Sequence, residues 1–288
     1  SMNPFSSRCC QHNHAQGWPY FSEHLILATP DNGIAAAIYA ACKATVKVGN
    51  GKEIVLHEET NYPFEEGIKF TVSTDEKVAF PFYLRIPSWT QKVEVRVNGK
   101  KVSAAPVAGK YLCINREWAN GDCVELTLPM SLSMRTWQVN KNSVSVDYGP
   151  LTLSLKIAEK YVEKDSRETA IGDSKWQKGA DSKKWPTTEI YPDSPWNYSL
   201  VLDKKEPLKN FKVIRKSWPA DNYPFTVASV PLEVKAIGRP VPEWKIDETG
   251  LCGVLPEEDA VKGDKEEITL IPMGAARLRI SAFPNTKE

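Results

Sequence analysis

Period-two alternation predicts an all-β chain: two consecutive antiparallel β-sandwich or jelly-roll-like domains preceded by a short helical remnant. Three observations carry that expectation. After residue 24, apolar and polar residues alternate over many short runs. The runs end in turn chemistry, at Pro30-Asp31-Asn32-Gly33, Asn50-Gly51, Asn120-Gly121 and Tyr148-Gly149-Pro150. Helical periodicity is confined to the opening segment and to residues 157–184, a Lys-, Asp- and Ser-rich stretch that reads as a helix or as a solvated excursion.

The first strand follows the turn at residues 30–33. Alanine in "GIAAAIYAACKATV" favours helix, but the hairpin turn just before it favours a strand from Ile34 to Tyr39. In "FPFYLRI", Phe80, Phe82, Leu84 and Ile86 share one side, with Tyr83 and Arg85 on the other. In "KVEVRVNGKKV", Val93, Val95 and Val97 alternate with Glu94 and Arg96. Asn98-Gly99 then supplies a two-residue turn in which both residues tolerate positive φ. "VELTL" and "LTLSLKI" repeat the pattern through Leu128 and Ile157. "LEVKAI" (232–237), "ITLI" (268–271) and "RLRISAF" (277–283) complete the set. A change of strand group near 138–150 places the domains at 25–138 and 139–288, after a leading segment 1–24.

Composition excludes several functions. With 41% hydrophobic and 25% charged residues, the 288-residue chain can bury one large core or two modest ones. Its net charge of +1 comes from interspersed signs, with no basic stripe for nucleic acid. The longest apolar run, Ile34 to Cys42, is too short to span a membrane. Six cysteines in a chain of this length are not a disulfide framework. Cys42, Cys113, Cys123 and Cys252 read as small buried hydrophobes, although Cys113 and Cys123 could pair in an oxidising compartment. The compartment stays open. Ser1-Met2 reads as a cleavage scar, so the natural start is expected upstream.

Two candidate sites remain. The stretch "CCQHNHAQGWPYF" puts Cys9 and Cys10 beside His12 and His14. A zinc site closed within six residues would strain the chain, because structural sites place ligand pairs on separated knuckles. Packed or frayed thiols near a terminus are the plainer reading. Loop aromatics are the second candidate. Trp196 and Tyr198 in "SPWNY" could stack on sugar rings, which would make the chain an independent carbohydrate-binding module. Tryptophan also anchors sandwich cores, so both roles stay open. His24 and His57 read as ordinary polar positions, and no spacing singles out a carboxylate pair, a phosphate loop or a nucleophile elbow.

The same residues carry a resemblance. "CCQHNHAQGWPYF", "ATPDNGIAAAIYA", "FPFYLRIPSW", "VEVRVNGK", "VDYGPLTLSL", "WPTTEIYPDSPWNYSL" and "ITLIPMGAARLRISAFP" occur in the order found in glycoside hydrolase family 127. That is the β-L-arabinofuranosidase-like group, also known as domain of unknown function 1680. The chain resembles its C-terminal part. The resemblance implies an (α/α)6 catalytic barrel followed by two β-sandwiches. It implies that Cys9 is the nucleophile and a zinc ligand, and that Cys10 is a second zinc ligand. A low-pKa thiolate can attack an anomeric carbon and be released by water. The remaining zinc partners and the acid/base Glu belong to the barrel, ahead of Ser1. The chain alone is therefore expected to be inactive and to hold no zinc tightly, with residues 3–24 as the barrel's torn edge. Its partners would be that barrel and arabinose-containing glycans, with homo-oligomer contacts open. A standalone protein with a redox or metal role at Cys9-Cys10 is the third reading.

Overall fold

The computed structural model describes residues 15–165, 181, 183–184, 186–248, 250–257 and 260–288. They divide into two compact units, one ending at Ser131 and the other running from Leu132 to Glu288. The division precedes β11 (Leu132–Trp137), whose ladder partners are all in the second unit.

The first unit opens with a short helix, α1 (Gly17–Glu23). Pro19 falls in its first turn, where a missing N–H costs nothing. No residue of α1 is buried, and Trp18 and Tyr20 are each 64% exposed. Ten strands follow: β1 (Ile26–Ala28), β2 (Ile34–Ala36), β3 (Cys42–Val48), β4 (Lys52–Thr60), β5 (Gly67–Ser73), β6 (Val78–Arg85), β7 (Glu94–Val97), β8 (Lys100–Lys101), β9 (Tyr111–Trp118) and β10 (Cys123–Thr127). They form two sheets, ordered β1-β2-β6-β9 and β3-β4-β5-β10-β7-β8. Ile34, Phe80, Phe82 and Trp118 from one sheet meet Ile54, Leu56, Phe70 and Leu126 from the other in a single core. That is sandwich packing, each inner face supplied by every second residue.

Local chemistry explains the pattern. Along β6 the burial follows the alternation, with Phe80, Phe82 and Leu84 inside and Tyr83 and Arg85 half-buried. Asn98 (φ 50°) and Gly99 (φ 76°) both take left-handed backbone, the geometry a type I′ hairpin needs between β7 and β8. The expected strand from Ile34 to Tyr39 ends at Ala36. Beyond it Tyr39 turns inward, 2% exposed, and its hydroxyl donates to the Arg85 carbonyl at 2.5 Å. β2 runs parallel to β6, a departure from the purely antiparallel expectation.

Gly33 makes the close approach between these strands possible. A Cβ there would lie 2.2 Å from the Pro81 carbonyl oxygen and 2.5 Å from its ring. Gly33→Ala is expected to destabilise the first unit by about 3 kcal/mol, since backbone must move to admit the methyl. A denaturant midpoint unchanged from wild type would refute this.

The second unit contains β11, β12 (Ser143–Tyr148), β13 (Leu151–Leu155), β14 (Glu159–Lys164), β15 (Thr187–Pro192), β16 (Tyr198–Leu202), β17 (Lys212–Arg215), β18 (Leu232–Pro240), β19 (Glu266–Pro272) and β20 (Asn285–Lys287). Its main sheet runs β11-β12-β13-β19-β18-β16-β20, with β17 also paired to β18. β16 and β20 are parallel. Every residue of β12 and β16 is buried, so these strands are covered on both faces. β14 and β15 form a separate two-stranded ladder. The stretch predicted as helix or excursion therefore begins as a strand, and residues 166–180 lie outside the described residues.

"RLRISAF" is not a strand. The segment is irregular, tied by the Leu155 N–H donating to the Ile280 carbonyl (2.9 Å) and by reciprocal bonds between Val144 and Phe283 (2.8 and 2.9 Å). Ile280 and Phe283, 7% and 0% exposed, enter the core three residues apart, out of step with the alternation and without a continuous ladder. The cysteine reading also changes. Cys113 and Cys252 are exposed, Cys42 and Cys123 are half-buried, and all four are free thiols. Cys113 sits in one sheet opposite Tyr83, and Cys123 in the other opposite Thr71. Among the described residues no helix is long and apolar enough to cross a membrane.

Candidate functional site

In the second unit, a groove of about 490 Å³ gathers side chains far apart in sequence. Ile157 follows β13, and Ile190, Tyr191 and Pro192 come from the end of β15. Trp196 lies in the loop before β16, Ile246, Leu251 and Cys252 in the excursion after β18, and Arg277 to Ile280 in the irregular closing segment. The excursion is built by local bonds. The Asp247 carboxylate accepts from the Leu251 N–H at 3.0 Å, and the Asp247 N–H donates to the Leu251 carbonyl at 2.8 Å.

Trp196 is fixed from behind. Its ring meets Trp244 edge-on, with centroids 5.2 Å apart, and the Trp244 indole N–H donates to the Gly253 carbonyl at 3.0 Å. The Asn197 amide reaches the Val241 and Trp244 carbonyls at 2.9 and 3.1 Å, tying the two loops together. Tyr198 has a different position. It is 6% exposed within β16, and burial, reinforced by a hydrogen bond with Glu266, pushes its hydroxyl pKa up to about 12. Only Trp196 of the two proposed stacking residues lines the groove.

The first unit holds a cluster that local spacing did not single out. Ile54, Leu56 and Glu58 occupy successive inward positions of β4, so a carboxyl group is placed where the phase calls for an apolar residue. Glu58 is 3% exposed. It accepts from the Ala40 N–H at 3.1 Å and from the Cys42 thiol at 3.8 Å. Burial raises its pKa to about 8, against the opposing effect of those two hydrogen bonds. Burial, with the neighbouring Glu58 charge, raises Cys42 to about 11. Tyr39 and Tyr62 are likewise raised by burial, with Arg85 acting in the opposite sense on both. The Arg85 guanidinium lies over the Tyr39 ring at 5.7 Å and donates to the Ala37 carbonyl at 2.5 Å. A carboxyl so placed holds its proton at neutral pH. The inward phase along β4 is the sequence signal that could have found it.

Cys9 and Cys10, the predicted thiolate pair, lie outside the described residues, as do His12 and His14. Among the described residues no three or more His, Cys, Asp or Glu side chains converge as a metal site. The resemblance places zinc at Cys9 and Cys10, and the four described cysteines are not among the ligands it implies.

Comparison with known proteins matches part of the chain to one family model. Residues 33–130 match the family model "Beta-L-arabinofuranosidase, GH127 middle domain". No curated protein matches the chain. A solved glycoside hydrolase structure superposes with a TM-score of 0.66 at 22% identity, covering 98% of this chain and 40% of the other. A GH127 β-L-arabinofuranosidase from Geobacillus stearothermophilus T6 gives 0.65 at 21% identity, with coverages of 99% and 38%. A further GH127 β-arabinofuranosidase gives 0.63 at 23% identity, with coverages of 96% and 38%. At these identities the likeness is one of fold. The chain spans about 40% of the length of the structures it matches.

Proposed function

We propose that this chain, whose residues 33–130 form a GH127 middle domain and which resembles the C-terminal part of that family, is the β-sandwich portion of a retaining β-L-arabinofuranosidase. The observation that carries the proposal is the family match, lying within a chain whose fold follows GH127 structures over nearly its whole length. In this reading the two units buttress a catalytic barrel supplied by the remaining length of such a protein. The substrate is an arabinose-containing glycan.

The chain's contribution to the chemistry is Cys9. Its thiolate attacks the anomeric carbon, forming a carbon–sulfur bond as the glycosidic carbon–oxygen bond breaks. An acid/base carboxyl of the barrel protonates the leaving oxygen. Water, deprotonated by the same group, then displaces the thiolate and restores the enzyme with retained configuration. Cys10 is the second thiolate of the centre. The described residues supply no opposed carboxylates in the groove of the second unit, whose lining contains neither Asp nor Glu.

The test is hydrolysis of an aryl β-L-arabinofuranoside by the 288-residue chain. No turnover above background is the expected result. Turnover that disappears in the Cys9→Ala variant would overturn the supporting role and make this chain the enzyme.

A further inference from the structure

The groove of the second unit has a chemical character that the proposed supporting role leaves unused. Its walls are aliphatic and aromatic: Ile157, Ile190, Ile246, Leu251 and Leu278, with Trp196 as a braced flat face. Two guanidinium groups stand among them, Arg277 and Arg279, both exposed, and among the described residues no lining side chain carries a carboxylate. The neighbouring acids already have partners. Glu189 is ion-paired with Lys164 at 2.7 Å, and Glu159 accepts from the Tyr161 hydroxyl and the Arg277 backbone N–H at 2.5 and 3.1 Å. Arg279 donates through Nε to the Ala276 carbonyl at 2.7 Å, the Arg277 side chain hydrogen-bonds with the Tyr161 hydroxyl, and among the described residues no ion pair with a carboxylate is formed by either arginine.

We propose that this groove binds a small organic carboxylate with an apolar body, an aryl or alkyl acid whose anion pairs with Arg277 and Arg279. Small-molecule sites are typically concave and apolar with a few placed polar groups, and this lining has that character. Guanidinium favours a planar carboxylate because it can donate two parallel hydrogen bonds. The walls offer few groups that hydrogen-bond hydroxyls, so a neutral polyhydroxylated sugar matches them less well.

The probes are 2-naphthaleneacetate and its uncharged counterpart 2-(2-naphthyl)ethanol, titrated calorimetrically into the full chain. The acid is expected to bind about tenfold more tightly, as a charge-assisted pair would give. Arg277→Gln with Arg279→Gln should erase that preference. Leu251→Asp, at a position 66% exposed and therefore tolerant of the change, should weaken the acid selectively by adding a like charge. Equal affinity for acid and alcohol, preference retained in the double variant, or binding of an arabino-oligosaccharide in preference to the naphthyl acid would each overturn the proposal. These readouts are independent of arabinofuranoside turnover, so the catalytic reading can fail without affecting this one.

Discussion

Replacing Trp118 with alanine is expected to cost the first unit about 4 kcal/mol, a large fraction of a typical domain's stability. Trp118 closes β9, is fully buried, and joins both kinds of interaction that hold this sandwich. Its ring stacks on Phe80 at 5.6 Å and meets Phe82 edge-on at 6.0 Å. Its indole N–H donates to the Phe80 carbonyl at 3.0 Å. Truncation would leave a cavity between two large aromatics and remove a buried donor from its acceptor. Trp118→Phe separates the contributions, since it retains most of the ring contact and loses the hydrogen bond. That variant should cost about half as much, because a buried unpaired acceptor is itself worth about 1–3 kcal/mol. Urea unfolding followed by a probe within residues 15–131 measures both. A Trp118→Ala loss below about 1 kcal/mol would mean that the core repacks around the gap.

How far such elements could be read in advance depended on which faces of a strand are covered. β6 and β7 each bury one face, so Phe80, Phe82, Val95 and Val97 announced themselves by alternation, and Asn98-Gly99 marked the turn. β12, "SVSVDY", alternates just as clearly, yet its polar phase is buried too, so alternation there could not tell that both faces are covered. β3 is the opposite case, an edge strand with Cys42, Ala44 and Val46 only half-buried among exposed Lys43, Thr45 and Lys47. Residues 277–283 misled because the alternation there did not match burial: Ile280 and Phe283 enter the core from opposite phases, held by isolated backbone bonds in place of a ladder. The groove was legible only in part. Trp196 stood out as a loop aromatic, but its brace, Trp244, and the arginines at 277 and 279 are brought to it by tertiary structure. No local period links positions so distant.

Glu58→Gln is expected to make the chain more stable at neutral and alkaline pH, with a gain that grows across a defined window. Below about pH 4.5, the ordinary value for a glutamate, both folded and unfolded chains carry the proton and ionisation of Glu58 contributes nothing. Between there and about pH 8 the unfolded chain releases its proton while the folded chain keeps it. Unfolding is thereby favoured by up to ~1.4 kcal/mol for each pH unit. Above about pH 8 the folded chain ionises too, and the accumulated loss, a few kcal/mol, is complete. Glutamine keeps an oxygen for the Ala40 N–H and has no charge to desolvate, so its stability should lack this decline. The difference between variant and parent is the informative quantity, because contributions from the rest of the chain cancel in it. Cys42→Ala provides the control: it removes the thiol neighbour but leaves the buried carboxyl, and should retain the parent's pH slope. A variant-minus-parent difference that stays flat from about pH 5 to about pH 8.5 would mean that Glu58 is ionised in the folded chain, its hydrogen bonds outweighing its burial.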